Sequence, residues 1–119
     1  MPILNVEIVL NPDEELRAGL AGEIADAAGA ILGSEAGGMW VKLRELPKER
    51  YAENEGGPPE GVWPVFVEVL KAELPQGEEM GKEAAKLATE IGRICGRRRE
   101  NVHILYLPAG AGRIFFGGR

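Results

Sequence analysis

Pro2-Ile3-Leu4-Asn5-Val6-Glu7-Ile8-Val9-Leu10 follows Met1. It is apolar nearly throughout and rich in Ile and Val, the composition of a strand covered on both faces. A small second residue such as proline permits removal of Met1, which would leave a free secondary amine at the start of that strand. An ordinary α-amino group titrates near ~7.7–8.0. An apolar wall and neighbouring cations disfavour its protonated form, and a rigid amine brought toward neutrality can shuttle protons. Proline is also simply tolerated at a strand start.

Outward from this strand, Asn11-Pro12-Asp13-Glu14 reads as a helix start, with Asn at the N-cap, Pro at N1 and Glu at N3. Leu16, Leu20, Ile24, Ala27 and Ile31 recur at helical spacing as one apolar stripe, and Gly33 can close the helix in the left-handed conformation. Trp40 to Leu46 reads as a second strand, with Trp40, Lys42 and Arg44 on one side and Val41, Leu43 and Glu45 on the other. From Pro47 to Gly61 the pattern dissolves into Pro, Gly, Glu, Lys and Asn, marking a linker or surface hairpin. The order then begins again. Val62 to Lys71 is a third strand and Glu78 to Cys95 a helix with Met80, Ala84, Leu87, Ile91 and Ile94 as its core face. Gly96 is its cap, Asn101 to Leu107 a fourth strand, and Arg113 to Phe116 a short run that could form a fifth.

The halves, residues 2–57 and 62–118, thus repeat β-α-β with a period of about sixty residues. Joined through right-handed crossovers, they predict an α/β (α+β) fold: a four-stranded sheet with two helices on one face. At 119 residues this is one domain, 1–119. The second sheet face, carrying Lys42 and Arg44 beside Trp40, is no self-sufficient core, and burial against other copies of the chain is the economical expectation.

A net charge of −5 gives no overall basic field for nucleic acid or an anionic membrane. Arg97-Arg98-Arg99 follows a helix end, where cations meet the negative pole of the macrodipole. The single cysteine, Cys95, falls on an apolar helix side and reads as a core residue. The single histidine, His103, has no companions at ligand spacing, so no metal is expected. With no signal-peptide pattern and no long apolar run, a cytoplasmic protein is expected.

Met1-Pro2 running into an apolar strand, the β-α-β repeat, and two strand-plus-hairpin segments resemble the tautomerase superfamily, the group of 4-oxalocrotonate tautomerase and macrophage migration inhibitory factor. The second of those segments, Asn101 to Tyr106 continuing to Gly112-Arg113-Ile114-Phe115-Phe116-Gly117-Gly118, is the more telling. The resemblance covers nearly the whole chain except residues 53–61. It implies a fused two-unit chain, a homotrimer with each site at a subunit boundary, and keto–enol tautomerase (isomerase) activity. The substrate would be a small carboxylate or enol, Pro2 the general base, and no cofactor is implied. The family's usual arginines are missing: Asn11-Pro12 stands where one follows the first strand, and Trp40 and His103 stand where another opens the second.

Anion binding would therefore fall to Arg44, Lys42, Lys71 or Arg113, though exposed Lys and Arg mostly solvate a surface. His103 could donate to an oxyanion or be an interface residue. Tyr106 reads as core. Tyr51, where the family often has an aromatic pocket residue, and Trp40 could line a pocket or simply pack. Relatives that hydrate or dehalogenate unsaturated acids use a carboxylate to activate water, in one branch after the fourth strand. No Asp or Glu lies between Leu105 and Arg119, so plain proton transfer is the better reading, with an acid elsewhere, such as Glu45, left open. The reading from another class is a non-catalytic, oligomeric ferredoxin-like module that binds a small ligand.

Overall fold

A computed structural model describes residues 2–119. Met1, on whose removal a proline base depends, lies outside the described residues. Four strands form one mixed sheet: β1 (Ile3–Val9), β2 (Trp40–Leu46), β3 (Val65–Leu70) and β4 (Val102–Tyr106), in the order β2-β1-β3-β4. β1 runs parallel to β2 and antiparallel to β3, and β3 runs parallel to β4. Each half is therefore a β-α-β unit, and the halves join at the β1–β3 seam. Helices α1 (Leu20–Leu32) and α2 (Glu78–Cys95) pack on one face.

Strand alternation decides which side chains meet the helices. Leu4, Val6 and Ile8 of β1 stand opposite Val69, Val67 and Val65 of β3, and all six are buried. Leu20, Ile24 and Ala28 of α1 and Leu87, Ile91, Ile94 and Cys95 of α2 close this layer. Burial pushes the Cys95 thiol up to about 11, so the cysteine is an unreactive core group. Among the described residues, no helix is long and apolar enough to cross a membrane.

The Asn11-Pro12-Asp13-Glu14 signal does not start a helix. The Glu14 carboxylate takes the Asn11 backbone N–H at 2.8 Å, as a capping box would, but Asp13 turns to φ 61° and the chain runs on irregularly to Gly19. The reason lies far away in sequence. Arg97, its side chain 5% exposed, grips Glu14 with two donors at 2.8 and 2.9 Å and also donates to the carbonyls of Val9, Trp63 and Cys95. The arginine does meet a helix C-terminus, at Cys95, but its larger role is to tie the post-β1 segment to both halves. The guanidinium holds the Glu14 carboxyl at about 2, well below its ordinary 4.5.

Two strand expectations also change. β3 runs Val65–Leu70 rather than Val62 to Lys71: Pro64 has no N–H to give the ladder, and the Trp63 carbonyl accepts from Arg97 instead. Residues 113–116 form no strand. Arg113 folds back to donate to the carbonyls of Pro108 and Ala109, and Phe116 packs edge-on against Trp40.

Candidate active site

Pro2 immediately precedes β1 and is buried within the single chain. Its carbonyl accepts the Trp40 N–H at 3.1 Å, which pins the first residue of β2 beside it. Ile3 stands opposite Leu70 across the antiparallel seam, so one step outward faces Pro2 toward Lys71. Both line a cleft of ≈ 520 Å³ together with the end of α1 and its following turn. That volume is ample for a small metabolite. Glu35 and Glu73 also line it.

Lys71 is not a free cation there. Its ammonium lies 3.1 and 3.2 Å from the two carboxylate oxygens of Glu83 on α2, and the Tyr106 hydroxyl donates to the same carboxylate at 2.8 Å. Burial, aided by Glu83, pushes the Tyr106 hydroxyl well above the usual phenol range, so it stays a donor. Within one chain Glu83 neutralises Lys71, and Glu35 and Glu73 leave this end of the sheet with an excess of negative charge.

The other candidates sit elsewhere. Side chains on the face away from the helices fall in rows across the sheet: Trp40, Ile3 and Leu70; then Lys42, Asn5, Glu68 and Leu105; then Arg44, Glu7, Phe66 and His103. Arg44 and His103 thus lie four residues along from the Trp40 row, about 13 Å at the rise of a strand. A concavity of ≈ 400 Å³ covers these last two rows. Tyr51 belongs to the same end: its ring meets Phe66 at 5.8 Å, Phe66 meets His103 at 5.5 Å, and its hydroxyl donates to Glu53 at 2.7 Å. Burial and Glu53 push that hydroxyl up to about 12. Arg113 is exposed and spent on its own loop carbonyls.

The structure therefore gathers Pro2, Lys71 and the backbone of Trp40 at one end of the sheet, and Arg44, His103 and Tyr51 at the other. Glu35 and Glu73 in the cleft wall, and Glu83 behind it on the Lys71 ammonium, are groups that sequence reasoning missed. Glu83 had a signal: it falls four residues before Leu87 on the α2 core stripe, and a carboxylate on an apolar stripe needs a partner.

No protein-family model matches the sequence, and no curated protein matches it. Solved structures do. One of Pt0534 inactivated by 2-oxo-3-pentynoate superposes with a TM-score of 0.75 at 18% identity, covering 98% of this chain and 92% of that one. The macrophage migration inhibitory factor of Trichinella spiralis gives 0.74 at 10% identity, over 98% and 96%. A fused 4-OT wild-type symmetric trimer gives 0.66 at 16% identity, over 88% and 83%. With its mixed four-stranded sheet, paired β-α-β units and two helices on one face, this chain shares the fold of these 4-OT and macrophage migration inhibitory factor structures.

Proposed function

We propose that the chain is a keto–enol tautomerase that works as a homotrimer, with the nitrogen of Pro2, freed by removal of Met1, as its general base. The observation that carries this reading is the burial of Pro2 against a small-molecule-sized cleft at the end of the β1–β3 seam. Burial removes water from the amine and favours its neutral form. The neutral nitrogen takes a proton from the enol oxygen of the substrate. The resulting prolinium returns it to carbon, so the carbonyl forms and the amine is restored.

In the proposed assembly, the Arg44–His103–Tyr51 end of a neighbouring protomer completes the site. Arg44 and His103 make no ion pair among the described residues, which leaves them available to hold a substrate carboxylate or a developing enolate oxygen. Trp40, half exposed, supplies an apolar wall. Arg113 would join only if its loop opens, since its guanidinium now serves that loop.

The reading is tested by intact-mass spectrometry and by 2-oxo-3-pentynoate, the inactivator of Pt0534. Its conjugated alkynone adds a nucleophilic amine across the triple bond, forming a C–N bond with transfer of the amine proton to carbon. Protein from its own host is expected to lack Met1 and to carry one adduct, mapped to Pro2. Retained Met1, or an adduct confined to other residues, would contradict it.

A further inference from the structure

Lys71 faces Pro2 across the antiparallel seam, yet it is held by two groups from other parts of the fold, one of them braced by a third. Its carbonyl accepts the Gly110 N–H at 2.8 Å, fixing the backbone. Its ammonium meets both oxygens of Glu83, in the second turn of α2, with side-chain exposures of only 19% and 16%. Tyr106 on β4 holds the Glu83 carboxylate in turn, at 2.8 Å. The charged groups lining the Pro2 cleft are Lys71 and Glu73 from the segment after β3 and Glu35 from the turn after α1. Glu83 reaches the cleft through Lys71.

We propose that Glu83 and Tyr106 are positioning residues that hold Lys71 as a neutralised pair beside Pro2 and thereby set how tightly the Pro2 nitrogen keeps its proton. The inference rests on the role proposed for Pro2. A bare ammonium in the cleft wall would repel the prolinium and drain the amine of basicity. A bare carboxylate would stabilise the prolinium and block the base. Paired, the two charges largely cancel, and the amine titrates where burial and the exposed Glu35 and Glu73 carboxylates, which stay unchanged in every variant below, put it. An ion pair that merely fastens α2 to the sheet would be indifferent to which partner is removed.

That difference gives the test. In full-length protein lacking Met1 and labelled with ¹⁵N-proline, the Pro2 nitrogen is titrated by NMR. Glu83→Gln, which unmasks Lys71, is expected to lower the midpoint by ~0.5–1 pH unit, and Lys71→Met, which unmasks Glu83, to raise it by a similar amount. The double variant should return to within ~0.3 pH unit of the parent, and Lys71→Arg should do the same because it keeps the charge. Shifts in the same direction, or none, would overturn the inference. Should Lys71→Met fail to fold, Glu83→Gln decides alone, and an unmoved or raised midpoint counts against it. Because the readout is a titration rather than turnover, it stands apart from the catalytic reading: a Pro2→Ala variant with undiminished turnover would reject the tautomerase and leave these shifts to decide the role of Glu83.

Discussion

Arg97 is the residue whose loss the fold should feel most. Its guanidinium is nearly fully buried and satisfies Glu14 along with three carbonyls from three separate segments. Arg97→Met would leave the half-buried Glu14 carboxylate and those carbonyls without their donor, and a loss of ~3–5 kcal/mol in unfolding free energy is expected by denaturant titration. The same pair gives a pH signature. The folded Glu14 group titrates at about 2 against an ordinary 4.5, so its stabilisation is complete above about 4.5 and is lost as pH falls toward 2. The full contribution is roughly 3 kcal/mol. Wild-type stability should therefore drop through that window, and Glu14→Gln should flatten the drop while lowering stability at neutral pH. An equal acid slope in both proteins would reject this account.

At the scale of elements, α2 is the most constrained piece. Gly92 lies where the chain after the helix returns toward β4, and a Cβ there would meet the Arg97 carbonyl at 2.7 Å and the Val102 side chain at 3.3 Å. Gly92→Ala must push that return aside, and ~1–3 kcal/mol of destabilisation is expected in spite of alanine's better helix propensity. A neutral or stabilising result would mean that the segment 97–101 yields freely. The sequence pattern of this helix was legible to the residue, Glu78 to Cys95 with Gly96 as its left-handed cap, because amphipathic period and cap are local. The start of α1 was not. Asn11 and Glu14 carry a local cap signal, but Glu14 is claimed by a residue 83 positions away, and no local rule reads that. Trp40 to Leu46 was legible as a strand with its polar side exposed. The Pro2–Lys71 juxtaposition was not, since it follows from antiparallel pairing of the two halves rather than from either half.

At the scale of the whole molecule, one sheet face remains uncovered in the single chain, with Leu105 58% and Trp40 48% exposed beside Lys42, Arg44 and His103. The proposed trimer buries that face and brings the two ends of the sheet, separate within one protomer, to a common site. Sedimentation velocity at micromolar concentration should report three chains. Leu105→Arg, a change at an exposed position in the lone chain, should reduce the mass while leaving the far-ultraviolet circular dichroism intact. A wild-type monomer would contradict the assembly. In the proposed function a free Pro2 nitrogen does the chemistry, and turnover of phenylenolpyruvate by Met1-free wild-type and Pro2→Ala proteins measures its part. A loss of ~10²-fold or more in kcat/KM is expected on Pro2→Ala; turnover equal to wild type would rule out Pro2 as the base.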